Sequence, residues 1–361
     1  MSRRVVYTID TRTLVLSVLV ISNLGLMFLR MDSVTLSAQR KASVPKMGPA
    51  LQHYNYEQSR WDRAIQDADE MLRRSAVSGE IPVCLRPDTL ATADLVNRTL
   101  QDIAATPSNP FHLHFPVLNM GMPKTGSTTL ASFFECVGLN GTHQEITNGR
   151  GEREFEGLCM RDAVQVGLPP IETCSSGHQY MMQLDADWPL GYGASRKAKY
   201  GPYTSTERDE CFFPQLSLLE EFHQEVPQAT FVMNFRPIKD WVKSMKKWSK
   251  PPLMERFRQC HFPNLPRGVP RDLDNETEVM KAMEHFMCSH VLHVRQFVED
   301  HPSHALVELD LYDTDTATAV MSSLFPAKTT NETCWGHANK SKGKKKNKQK
   351  AGQQLSNVTI T

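Results

Sequence analysis

Phe115-Pro-Val-Leu-Asn-Met120-Gly121-Met-Pro-Lys124-Thr-Gly126-Ser127-Thr128-Thr129-Leu130 decides the fold. The apolar run from Phe115 to Met120 reads as a short buried strand. A glycine-bearing turn follows, and Thr128 to Val137 reads as a helix. A strand feeding a helix through such a turn aims backbone N–H groups and the helix N-terminus at one point, which suits an anion. Outward from it, Tyr180 to Leu184, Thr230 to Phe235 and Ala305 to Asp310 read as further strands. Pro214 to Val226, Lys239 to Lys247 and Thr277 to Val298 read as helices. Strands alternating with helices predict an α/β fold, a P-loop-type parallel sheet with helices on both faces. Ligands of such sheets bind at the carboxyl ends of the strands, where the glycine turn lies.

The chain has 361 residues, 40% apolar and 22% charged, which excludes a mainly disordered or collagen-like protein. Its formal net charge of +1 argues against a generally basic nucleic-acid binder. The figure is an average of unlike parts. Residues 340–350 hold seven of the 41 Lys+Arg, and the remaining 34 face 40 acidic residues. The body is acidic, and residues 340–361 read as a solvated lysine-rich tail.

Arg3, Arg4 and Arg12 precede an uncharged run from Thr13 to Leu29 that Arg30 closes. A helix of that length spans about 25 Å, at the short limit for a bilayer core. The basic flank puts the N-terminus in the cytosol. The expected order is a cytosolic tail 1–12, a transmembrane helix 13–30, a partly helical luminal stem 31–110 with helices near 52–75 and 89–103, and a catalytic domain 111–339. A cleaved signal peptide is the alternative, though small residues at cleavage spacing are poor. Six Asn-x-Ser/Thr sequons, at Asn97, Asn140, Asn275, Asn331, Asn339 and Asn357, and all eight cysteines lie beyond the run. Both suit an oxidising lumen. Cys159 with Cys174 and Cys260 with Cys288 are the suggested pairs.

Gly121 and Gly126 have the spacing of the nucleoside-triphosphate loop G-x-x-x-x-G-K-[ST]. Ser127, however, stands where that loop needs lysine, and the lysine comes earlier, at Lys124. The cradle is kept and the charge is moved, which suits an anionic donor handled without a dedicated metal. Pro123-Lys-Thr-Gly-Ser-Thr-Thr129 resembles the 5′-phosphosulfate loop of sulfotransferases that use 3′-phosphoadenosine 5′-phosphosulfate (PAPS). Phe231-Val-Met-Asn-Phe-Arg236-Pro-Ile-Lys-Asp-Trp-Val-Lys-Ser244 resembles the same superfamily's 3′-phosphate element, and Cys334-Trp-Gly-His-Ala-Asn339 resembles a late loop of its membrane-bound members. The resemblance covers about residues 112–340. It implies that Pro123, Lys124, Thr125, Gly126, Ser127, Thr128 and Thr129 hold the 5′ end of PAPS, that Arg236 and Ser244 hold the 3′-phosphate, and that Lys124 stabilises the leaving oxygen.

The base is open between Asp185, slightly favoured, and Glu145, with His143 a third option; family members use a histidine or a glutamate from non-equivalent positions. His112 and His114 share one face of an extended run without further metal ligands at a fitting spacing. Cys288, His290 and His293 read as packing residues on the long helix. Met181, Met182, Met280, Met283 and Met287 read as core. The expected activity is sulfuryl transfer from PAPS to a hydroxyl of a carbohydrate or glycoconjugate, in a single-pass type II Golgi membrane protein with no metal and no nucleic-acid partner. Protein tyrosine or a small lipid-like alcohol are other acceptors. The alternatives are a P-loop kinase or NTPase and a non-catalytic glycan-binding protein of the same fold.

Overall fold

The computed structural model describes residues 49–88, 92–94, 96–97, 111–147, 153–188, 210–249, 252–260, 275–325 and 334. The run read as a membrane anchor, the Trp335–Asn339 loop and the lysine tail lie outside them. Among the described residues no helix is long and apolar enough to cross a membrane. The chain divides into two compact units, Met1–Asn55 and Tyr56–Thr361. The sheet and its cavity belong to the second.

Five parallel strands form the sheet: β1 (Val117–Asn119), β2 (Gly141–Thr142), β5 (Tyr180–Met181), β8 (Thr230–Phe235) and β9 (Ala305–Asp310), in the order β2-β5-β1-β8-β9. Two small antiparallel hairpins, β3 (Glu145–Thr147) with β4 (Arg153–Phe155) and β6 (Ala186–Trp188) with β7 (Glu210–Phe212), lie outside it. The helices are α1 (Pro49–Ser78), α2 (Ser127–Cys136), α3 (Glu156–Gln165), α4 (Pro170–Ser175), α5 (Pro214–Ser217), α6 (Leu219–Glu225), α7 (Ile238–Lys247), α8 (Leu253–Gln259), α9 (Glu276–Asp300) and α10 (Thr314–Leu324).

Period-two alternation divides the strands between two cores. Leu118, Met181, Phe231 and Met233 face one, with Val279, Met283, Met287 and Val291 of α9. Val117, Tyr180, Val232, Val307 and Leu309 face the other, with Leu130, Phe133 and Phe134 of α2 and Met321 of α10. Both faces of the sheet are therefore covered by helices, as the alternating pattern predicts. Helix α1, read as part of a stem, is packed into this body from Arg60 on: Trp61, Ala64 and Ala68 have no exposed surface, and Arg60 bonds Glu220 of α6 at 2.6 Å.

Local chemistry sets the helix ends. The Asn275 side chain accepts from Thr277 N at 2.9 Å to cap α9, and Glu276 and Glu278 complement its positive end. Asp313 caps α10 through Thr316. The expected helix 214–226 is instead two, because Leu218 leaves helical geometry at φ −126° and ψ 24°. The strand expected to run from Tyr180 to Leu184 ends at Met181.

Disulfides join Cys84 to Cys288, Cys136 to Cys334 and Cys159 to Cys174. The suggested Cys159–Cys174 pair is thus found, and Cys260–Cys288 is overturned. Cys288 sits on the buried side of α9 against Ala64 and Ala68 of α1, where the 3-10 turn at Val83–Leu85 delivers Cys84. Cys260 is disulfide-bonded elsewhere.

Candidate functional site

Between β1 and β8 the chain changes sides. It leaves β1 for β5 and β2 on one side, then returns to β8 and β9 on the other. That reversal opens a crevice at the carboxyl ends of the strands. A cavity of about 610 Å³ occupies it, and all five strand ends contribute to its wall: Lys124 to Thr129 after β1, His143 and Gln144 after β2, Gln183 after β5, Arg236 after β8, Leu311 and Tyr312 after β9. Asp240, Lys243, Ser244 and Lys247 of α7, with Trp248 and Leu253 beyond it, complete the lining.

The loop after β1 is held from behind. Gly121 N donates to Asn119 Oδ1 at 3.0 Å, and Trp241 Nε1 of α7 donates to Pro123 O at 2.7 Å. Thr125 Oγ1 donates to Met122 O at 2.6 Å and accepts from Asn234 Nδ2 of β8 at 2.9 Å. Arg236 Nη1 donates to Lys124 O at 2.9 Å. His290 Nε2 of α9 donates to Met120 O at 2.7 Å. Two glycines make this packing possible. A Cβ on Gly121 would fall 1.9 Å from Asn234 Oδ1, and one on Gly126, at φ +129°, would fall 1.9 Å from Leu311 Cδ1. Lys124 itself takes φ +70°, which turns its side chain toward the cavity.

Helix α2 starts directly after Gly126. Thr129 N and Leu130 N turn back to Gly126 O, while the N–H groups of Ser127 and Thr128 have no intrahelical acceptor. They meet the cavity at the positive end of the helix. Arg236 Nε is buried and has no hydrogen-bond partner among the described residues. The lining holds four cationic side chains, Lys124, Arg236, Lys243 and Lys247, against one carboxylate, Asp240. Lys124 Nζ lies 4.8 Å from the centre of the Trp248 ring, and the Arg236 guanidinium lies 5.8 Å from that of Tyr312. Orphaned N–H donors and excess positive charge in one crevice make a site for a ligand with more than one anionic group.

Of the residues expected here, Lys124, Thr125, Gly126, Ser127, Thr128, Thr129, Arg236 and Ser244 line the one cavity. Pro123 is behind it, its carbonyl engaged by Trp241. The two carboxylates read as candidate bases are not in the wall. Glu145 is on the β3–β4 hairpin, 3.5 Å from Arg153 Nη1. Asp185 is 1% exposed, and its Oδ2 accepts from Gln183 Nε2 at 3.4 Å. His143 does line the cavity, with Nε2 3.1 Å from Ser127 Oγ. Burial, and then the Lys124 ammonium, hold its pKa below the ordinary 6.5, so the ring is neutral at pH 7.

Lys243, Lys247, Gln183, Trp248 and Tyr312 were not read from the sequence. A usable signal existed for two of them. Lys243 and Lys247 flank Ser244 on one face of α7, at helical spacing. Among the described residues no group of three or more His, Cys, Asp or Glu side chains is placed to hold a metal ion. No family model, curated protein or solved structure matches the chain.

Proposed function

We propose that the chain is a sulfotransferase that moves a sulfuryl group from PAPS to a hydroxyl of a carbohydrate or glycoconjugate. One observation carries the reading. The Lys124 loop and the Arg236–Ser244 element, far apart in sequence and joined by the Arg236 Nη1 to Lys124 O hydrogen bond, line one cationic cavity. A donor with an anion at each end of a nucleoside needs two such anchors. The N–H groups and hydroxyls of Ser127 and Thr128 would hold the 5′ end, and Arg236, with its orphaned Nε, would hold the 3′-phosphate with Ser244. A volume of about 610 Å³ is in the range of small-ligand pockets.

The chemistry is in-line displacement at sulfur. The acceptor oxygen forms the new S–O bond while the bond from sulfur to the 5′-phosphate oxygen breaks. Charge grows on that leaving oxygen, which Lys124 stabilises. The acceptor's proton must go to a base. We assign His143 this role in preference to Asp185 or Glu145, because it is in the cavity wall beside Ser127 and is neutral at pH 7. Three sequons that the structure describes, at Asn97, Asn140 and Asn275, are exposed, and three disulfides close. Both support a luminal body behind a single N-terminal anchor in the Golgi membrane.

The test is transfer of label from radiolabelled PAPS to a panel of glycans by the full chain. Labelled product, with no requirement for magnesium or ATP, is expected. Magnesium-dependent ATP turnover without sulfuryl transfer would establish the kinase or NTPase alternative. Glycan binding without turnover would establish the non-catalytic one.

A further inference from the structure

Glu156, the first residue of α3, is completely buried and has no part in the chemistry above. Burial pushes its pKa up to about 7, because a carboxyl held away from water resists ionising. Its bonds are specific. Thr142 Oγ1 of β2 donates to the carboxyl, 2.7 Å from one oxygen and 2.8 Å from the other, and Ser175 Oγ at the end of α4 donates to one of them. The Glu156 backbone N–H donates to Gln144 O at 3.0 Å. One residue therefore grips Thr142 by its side chain and Gln144 by its main chain, and the residue between those two is His143.

The grip has firm backing. A Cβ on Gly157 would fall 2.1 Å from Leu184 O, so the start of α3 is wedged against the chain that follows β5. The Cys159–Cys174 disulfide ties α3 to α4, which carries Ser175. Phe155 is paired with Glu145 across the β3–β4 hairpin. Gln144 has φ +79°, a conformation that a residue other than glycine keeps only when its surroundings fix it. From this support His143 reaches the cavity, with Nε2 3.1 Å from Ser127 Oγ.

We infer that Glu156 is a positioning residue for His143: it holds both neighbours of the ring and so fixes the base beside Ser127. This rests on the assignment of His143 as the base of sulfuryl transfer. A reacting group misplaced by about 1 Å loses on the order of 10²-fold in rate.

The experiment compares Thr142→Val and Ser175→Ala in the full chain. Each removes one hydroxyl from the same buried carboxyl, but only the first releases β2 from it. Thr142→Val should lower kcat by about 10- to 100-fold with the KM for PAPS unchanged. Thr142→Ser, which keeps the hydroxyl, should restore kcat, and Ser175→Ala should leave it as in the wild type. The ring of His143 is also read without substrate, by NMR titration, its signal assigned by its loss in His143→Gln. Burial and Lys124 hold its pKa below 6.5 in the wild type. A loosened ring should move toward 6.5 in Thr142→Val and stay in place in Ser175→Ala. Thr142→Ala cuts the same link with a smaller side chain and gives the same reading should the valine prevent folding. Wild-type kcat and an unmoved His143 pKa in the Thr142 variants overturn the inference. So do equal effects in Ser175→Ala, since the carboxyl would then be a general support of the fold. A wild type that moves no sulfuryl group counts against the sulfotransferase reading alone, and the ring titration still decides whether Glu156 holds His143.

Discussion

Gln144, at φ +79°, explains why the proposed base, His143, was hard to tell from Glu145 at the level of single residues. In a regular strand His143 and Glu145 would face the same way, and either could serve. The left-handed residue between them breaks that alternation. His143 turns to the cavity, while Glu145 joins the hairpin beside Arg153. No glycine marks the spot, so nothing in the sequence announces the twist. Asp185 lies past the end of β5, which stops at Met181, and it is Gln183 that lines the cavity. Lys124, Arg236 and Ser244 were legible because each sits in a continuous motif whose local geometry carries it. For His143→Gln, PAPS binding should be kept and kcat should fall by about 10²- to 10⁴-fold. In the wild type, kcat/KM should drop on an acid limb below pH 6.5, where the depressed pKa lies, and this limb should vanish in the variant. Single-turnover rates across pH check it, and an unchanged acid limb removes His143 as the base.

Among the elements, β8 and β9 match their expected spans residue for residue, because each offers six consecutive, largely apolar residues, enough to read as a strand. Strand β2 has only two residues, and β3 and β4 have three each, too few to display a period. They were missed, as were α3, α8 and α10. Helix α7 illustrates how an element serves a site without touching the ligand at every point. Its outer face offers Ser244 and two lysines to the cavity, and its inner face buries Trp241 completely, with the indole N–H on Pro123 O. Trp241→Phe keeps most of the packing and leaves that carbonyl without its donor. The expected cost is about 1–3 kcal/mol in denaturant unfolding, with PAPS affinity falling severalfold because the loop before Lys124 loses its rear support. Loss of stability with donor affinity untouched would show that the loop holds its shape without α7.

On the scale of the whole molecule, buried titratable groups make stability depend on pH in both directions. Burial lowers His290 and His304 to about 4 and holds His293 well below its ordinary value, so the unfolded chain takes up protons more readily as pH falls below 6.5, and the native state loses ground. Burial raises Glu156 to about 7 and Glu57 to about 8, so the unfolded chain sheds protons more readily as pH rises above 4.5, and the native state loses ground again. A shift such as that of Glu156 is worth on the order of 3 kcal/mol at full extent. Thermal unfolding should therefore show its highest Tm between pH 4.5 and 6.5, and Glu156→Gln should flatten the alkaline limb; a Tm that climbs steadily from pH 5 to 8 contradicts this. The acidic body behind the near-neutral net charge was legible from counting, and so was the α/β architecture. The convergence of five strand ends on one cavity was not, because it is set by strand order, which no local pattern encodes. The central claim is that one donor is held by both the Lys124 loop and the Arg236–Ser244 element in that cavity. Calorimetric titration of PAPS into the wild-type chain, Lys124→Ala and Arg236→Ala tests it most directly. Binding by the wild type and at least about tenfold weaker binding by each variant is the result expected for loss of a charged hydrogen bond; wild-type affinity in both variants would contradict the account.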